Sequence, residues 1–184
     1  GALHQGHLSL VQASKAENDI TVCSIFVNPT QFNNADDLKN YPRTIEKDLE
    51  LLTSVGCDVV FIPEVKEVYA DKADYAFDLG VADKVMEATH RPGHFNGVIN
   101  VVKRLFDLVQ PNKAYFGQKD FQQCLVIKKM VDHYAMPVEL VFCATTRETD
   151  GLAMSSRNMR LSTEERQIAP YIYKVLQGAK TQFA

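Results

Sequence analysis

The residues best suited to chemistry open the chain: Gly1, Ala2, Leu3, His4, Gln5, Gly6 and His7. Two histidines stand three positions apart, with a glycine directly before the second. Leu8, Leu10, Val11 and Ala13 follow at helix-like spacing, so the pair sits where a loop enters a helix. The first N–H groups of a helix lack internal partners, and its dipole leaves partial positive charge there. Such a terminus suits phosphate. Gly6 lacks a Cβ, so a nucleotide can lie close against the backbone. Imidazole N–H groups can donate to phosphate oxygens, and more strongly when protonated. Two other readings compete: ordinary helix-start histidines, or a metal site of His4, His7 and His94. A helix-start glycine and a lysine suit phosphate better than a metal.

Bulk properties narrow the class. The chain has 184 residues, 46% of them hydrophobic, enough for one core and part of a second domain. A net charge of −3 gives no general attraction to nucleic acid or anionic lipid, so phosphate must be held by local groups. No apolar run approaches the roughly 20 residues that span a bilayer, and no signal-peptide pattern is seen. Cys23, Cys57, Cys124 and Cys143 are widely spaced in apolar runs and read as reduced core residues. We expect a cytoplasmic protein without a nucleic-acid or membrane partner.

The elements that must position the histidines alternate strand and helix. Gly6–Glu17 reads as the first helix. Residues 20–27 form a nearly continuous apolar run that fits a strand buried on both faces of a parallel sheet, 58–62 read as a second buried strand, and 113–116 and 138–143 read as the third and fourth strands. Between them lie a helix ended by Gly56, a short helix over Val81–Ala88, and a helix carrying Val98, Val101, Val102, Leu105 and Phe106. A long helix over Asp120–Tyr134 follows. Residues 64–79 read as a short strand or loop, and Ser162 opens a last helix with a capping box. The fold class is α/β, a Rossmann-like doubly wound parallel sheet over residues 1–143. Residues 144–184 read as the opening part of a smaller α+β lid domain. A phosphate-binding loop normally leaves a strand, so we expect one before Gly1. We also expect the lid to continue past Ala184.

Three polar loops follow predicted strands: those of Gln31, Lys119 and Arg157. Right-handed crossovers bring such loops to the sheet edge that carries the two histidines. Lys119 stands at a helix start beside Gly117, suited to an α-phosphate or departing pyrophosphate. Ser155, Ser156 and Arg157 add two hydroxyls and a guanidinium fork. Nucleotidyl transfer asks mainly for alignment and charge stabilisation, which these groups supply.

His4-Gln-Gly-His7 with a later Met154-Ser-Ser-Arg157 resembles the class I nucleotidylyl transferase superfamily. Six strings in order narrow this: Gly1–Leu8, Phe26–Phe32, Tyr41–Thr44, Arg91–Phe95, Phe116–Gln123 and Asp150–Asn158. Together they resemble the pantoate–β-alanine ligase family, from Gly1 to about Arg166. The resemblance implies ATP with Mg2+, pantoate and β-alanine as small-molecule partners, a pantoyl adenylate intermediate, and a homodimer. It implies that Gly1 to His7 hold ATP, with His7 matching the family's proton donor and His4, Lys119 and Arg157 also acting in catalysis. Gly117, Gln118, Lys119 and Asp120 would line the nucleotide, and Thr146 and Met154 to Arg157 would close over it. Gln31 and Gln123 would touch pantoate or β-alanine, with Asn28 and His94 nearby. Val98, Val101 and Val102, with help from Phe32, would wall pantoate's geminal dimethyl group while also serving the core. Gln118 stands where the family commonly has glutamate. The magnesium ligands are not assigned.

Overall fold

The computed structural model describes residues 2–31, 39, 44–71 and 73–183. Gly1, Phe32 and Tyr41–Arg43 of the motif strings lie outside the described residues, as does the Gln31 side chain.

The first helix, α1, runs Gln5–Glu17 and leads into strand β1, Val22–Ser24. A 3-10 turn follows at Pro29–Gln31. Helix α2 (Ile45–Ser54) ends at Val55, and Gly56 takes a left-handed φ of 72° before strand β2, Val59–Phe61. One-turn helices α3 (Val65–Val68) and α4 (Glu87–His90) lead to α5, His94–Val109. Strand β3 (Lys113–Gly117), a 3-10 turn at Gln118–Asp120, α6 (Phe121–His133) and β4 (Glu139–Cys143) complete the first part. A 3-10 turn at Ser156–Arg160 precedes α7 (Thr163–Ile168) and α8 (Tyr171–Gln182).

All described strand pairing is parallel. Val22–Ser24 faces Val59–Phe61, and Lys113–Gly117 faces Glu139–Cys143. Among the described residues the strands form two hydrogen-bonded pairs. Between the pairs lies a cleft of about 670 Å³, lined by Val22, Ser24, Ala114 and Phe116 with side chains of α1 and α5. The cleft accounts for the exposure of β1, where Val22 is 39% exposed; β2 is also not buried on both faces as expected, with Val59 47% exposed. The apolar stretches also exceed the paired ladder, so residues 20–27 yield only a three-residue strand.

Helix α1 ties the two pairs together. Ser14 Oγ meets Thr21 Oγ1 at 2.9 Å beside β1, and Lys15 pairs with Asp58 at 2.8 Å. At its other side, Asn18 donates to the Tyr115 hydroxyl at 2.8 Å and Glu17 pairs with Lys113 at 3.0 Å. The larger core packs Phe95, Val98, Ile99, Val126, Ile127 and Met130 between α5 and α6. A smaller one joins Leu8, Val11, Ile25 and Leu52. The expected helix over Val81–Ala88 is instead a 3-10 turn at Gly80–Asp83 followed by α4, with Met86 at a φ of 53° between them. Residues 64–79 hold α3 and then loop. The capping box at Ser162 is present, and the helix it opens ends before Pro170.

Candidate active site

His4 is the N-cap of α1, and the two histidines cap each other's backbone. The Gly6 N–H donates to His4 Nδ1 at 3.1 Å, and the His4 N–H donates to His7 Nδ1 at 3.2 Å. The result is a capping box built from two imidazoles. It settles their tautomer: a backbone N–H can only donate, so each Nδ1 accepts and each ring carries its proton on Nε2. Among the described residues neither Nε2 has a hydrogen-bond partner. The ring centroids lie 4.0 Å apart. Burial pushes His7 down from 6.5 to about 4, with His4 and Lys119 adding to it. Burial, then Lys119, also lowers His4. Near neutral pH the pair is uncharged and presents two N–H donors.

Gly6 earns its place by a close approach, but to protein rather than to open space. A Cβ there would lie 2.9 Å from His4 Cε1 and 3.5 Å from Met154 Cβ. The glycine lets the His4 ring fold back onto the helix start. The preceding loop is held from α2. Asp48, fully buried, accepts from the Ala2 N–H at 2.9 Å, the Leu3 N–H at 2.8 Å and the Thr44 hydroxyl at 3.1 Å. Sequence reasoning missed Asp48. Thr44, Asp48 and Leu52 recur at a spacing of four, the signal that places this carboxylate on the buried side.

The loop after β3 reaches the same place. Lys119 is exposed, pairs with Asp120 at 2.9 Å, and is close enough to depress both histidines. The C-terminal segment arrives as a hairpin bridged at Arg147 and Ala153. Thr146 Oγ1 lies 2.9 Å from Ser9 Oγ on α1, and Met154 packs at Gly6. Ser155 caps the following turn by accepting from the Arg157 N–H at 3.2 Å, and Arg157 is exposed. Arg147 stacks 3.9 Å from the Tyr173 ring centroid, and Asp150 pairs with Arg166 at 2.6 Å, so the hairpin is fastened to α7 and α8. His4, His7, Lys119, Thr146 and Met154 are thus brought together from three separate stretches. Gln5 and Gln118 are exposed at the rim.

The expected acid-binding residues divide differently. Asn28 is buried, and its Oδ1 accepts from Thr30 and Tyr69 while Nδ2 donates to the Gly97 carbonyl at 3.3 Å. Its carboxamide is therefore largely committed within the protein. His94 is buried at the start of α5, with its ring 5.1 Å from that of Phe95. Val98 and Val101 are buried, and Val102 is half-buried on the cleft wall. Neighbouring glutamines on α6 take opposite roles. Gln122 is saturated by Ala82, Val85 and Glu87 and holds the segment before α4. Gln123 is half-buried, with no hydrogen bond to its carboxamide among the described residues. Among those residues no group of three His, Cys, Asp or Glu is placed to hold a metal.

The family described as pantoate–β-alanine ligase matches residues 1–184. The pantothenate synthetase of Porphyromonas gingivalis is 56% identical over 181 residues, covering 98% of this chain and 64% of that protein. That of Herpetosiphon aurantiacus is 54% identical over 185 residues, 100% of this chain and 67% of its own. The Thermus thermophilus enzyme structure superposes with a TM-score of 0.91 at 49% identity, over 96% of this chain and 64% of that one. A Francisella tularensis pantoate–β-alanine ligase, complexed with β-γ ATP and β-alanine, gives 0.89 at 41% identity, over 96% and 68%. The chain thus spans about two thirds of the length of these relatives. The match over all 184 residues, with relatives above half identity, means that the chain belongs to the pantoate–β-alanine ligase family.

Proposed function

We propose that the protein condenses pantoate with β-alanine at the expense of ATP, through a pantoyl adenylate. The observation that carries this reading is the mutual cap of His4 and His7 at the start of α1, which leaves both Nε2 atoms without a partner among the described residues. A pantoate carboxylate oxygen attacks the α-phosphorus and pyrophosphate leaves. The β-alanine amine then attacks the acyl carbon, loses a proton, and AMP departs. His4 and His7 donate hydrogen bonds as charge builds on the phosphates, and Lys119 adds a full positive charge. Being neutral, His7 acts as a donor and not as a store of an extra proton at neutral pH. Gly1 to Gln5, Gly117, Gln118 and Asp120 border the nucleotide, and Thr146 with Met154 to Arg157 closes over it. Gln31 and Gln123 hold the acid, with His94 and Val102 around it. The likeness to a relative complexed with an ATP analogue and β-alanine supports these partners.

Magnesium enters this reading on the phosphates of ATP and on water. The described residues offer no built metal site, so no step is assigned to a protein-held ion. A homodimer and a cytoplasmic location belong to the same proposal. Sedimentation tests the first. No described helix is long and apolar enough to cross a membrane.

Two alternatives are separable: another nucleotidyl transferase of the superfamily, or a nucleotide-binding piece without turnover. Product analysis decides. Pantoate, β-alanine and ATP should give free AMP and pantothenate. Nucleotide retained on the product would indicate the first alternative, and ATP binding without turnover the second.

A further inference from the structure

We infer that Tyr69 is a positioning residue for the end of the site that takes the organic acid. This rests on the proposed reading of Gln31, Gln123 and the start of α5 as that end. Beyond β1, the chain reaches the site through Asn28 and the 3-10 turn Pro29–Gln31. Asn28 is 3% exposed, and its side chain is the internal frame of that turn. Its Oδ1 accepts from the Thr30 N–H at 3.3 Å, the Thr30 hydroxyl at 3.1 Å and the Tyr69 hydroxyl at 2.7 Å. Of these donors only Tyr69 comes from outside the turn, and its bond is the shortest. Thr30 Oγ1 also lies 3.1 Å from the Tyr69 oxygen, so one phenol touches the turn twice.

Tyr69 is itself held by α5. The Arg104 guanidinium sits 5.0 Å from its ring centroid. Arg104 is 5% exposed and pairs with Asp71 at 2.9 Å. Helix α5 also carries His94, Val98, Val101 and Val102. At Gly97 it approaches the turn so closely that a Cβ would lie 2.6 Å from the Thr30 carbonyl oxygen. A line of contacts therefore runs from α5 through Arg104 and Tyr69 to the turn bearing Gln31. It fixes the spacing between two sides of the acid site. No such line joins Tyr69 to the histidines or Lys119 among the described hydrogen bonds. Loss of the phenol oxygen should therefore loosen acid binding and spare the nucleotide.

The test is Tyr69→Phe, which removes one oxygen, read by pantoate-dependent exchange of labelled pyrophosphate into ATP. Losing one hydrogen bond between enclosed groups should raise the half-saturating pantoate concentration by about three- to tenfold. The half-saturating ATP concentration and the maximal rate should stay within about twofold of the unsubstituted protein. Thr30→Val removes the other hydroxyl at the same oxygen, and the double variant should fall well short of the product of the two single effects, as for residues in one network. Thr30→Val also carries the test alone if Tyr69→Phe does not fold. A parallel change in pantoate and ATP constants, or unchanged constants with only a lower melting point, overturns the inference. Failure of exchange in the unsubstituted protein, both in this chain and in one extended to the length of its relatives, refutes the functional reading itself. Normal exchange there with an unaltered Tyr69→Phe refutes Tyr69 alone.

Discussion

Replacing Gly6 by alanine should separate stability from nucleotide binding. The backbone tolerates the change, since Gly6 is helical and its φ is not in the left-handed region. Alanine is favoured over glycine within a helix by up to about 1 kcal/mol, and by less in the first turn. Against this, the new Cβ would stand 2.9 Å from His4 Cε1 and 3.0 Å from Nδ1. The ring must swing away, and its cap on the Gly6 N–H is lost, which costs about 0.5–2 kcal/mol. The two effects nearly cancel, so urea unfolding should show a change within about 1 kcal/mol. The displaced Nε2–H is another matter. A hydrogen bond to a charged group contributes about 1.5–3 kcal/mol, so ATP affinity by calorimetry should fall about 10- to 100-fold. Unchanged affinity would refute the claim that the His4 ring, held back against Gly6, is a phosphate donor. A loss of stability matching the loss of affinity would refute the separation.

Other outcomes are equally specific. Asp48→Ala leaves the Ala2 and Leu3 N–H groups without their acceptor and should cost about 2–4 kcal/mol in denaturant unfolding; Asp48→Asn, which keeps one acceptor oxygen, should cost less. Lys119→Met should weaken ATP binding at least about tenfold while leaving the melting temperature within a few degrees, because the side chain is exposed. Since burial lowers His7 from 6.5 to about 4, the unfolded chain binds a proton in that window that the folded one does not. Stability present above pH 6.5 should therefore fall as pH drops toward 4, by about 1–3 kcal/mol from this group. His4, shifted the same way, adds to the loss. In His7→Gln the pH dependence of unfolding across this window should flatten; an unaltered slope would contradict the assignment. Gly151→Ala should destabilise the 144–154 hairpin, because φ is 93° and a Cβ would meet Tyr173 at 2.4 Å. Tyr173→Ala in the same chain should recover the part due to the clash.

Part of this site could be read from residue types alone. Two histidines around a glycine before an apolar run place a helix start, and α1 begins there. The runs 113–116 and 138–143 become β3 and β4 because both are short and largely apolar. Ser162 to Glu165 forms its capping box because side chains three apart reach each other's backbone. Other features depend on tertiary geometry. Imidazoles are not the usual capping-box side chains, so the mutual cap of His4 and His7, and with it their tautomer, was hidden. Asp48 reads as an acidic residue in a helix's first turn, where it would complement the dipole, and the Ala2 and Leu3 N–H groups that it holds lie 46 and 45 positions away. Gln122 and Gln123 look alike in sequence; the facing of α6 alone assigns one to structure and leaves the other available. Tyr69 falls in a stretch whose pattern favours no element, and its partners Asn28 and Arg104 are distant along the chain.

The most direct test of the central claim is exchange of labelled pyrophosphate into ATP with pantoate present and β-alanine left out. The account predicts exchange that requires pantoate and is lost in His7→Gln. ATP binding without any exchange, in this chain and in one extended to the length of its relatives, would contradict it.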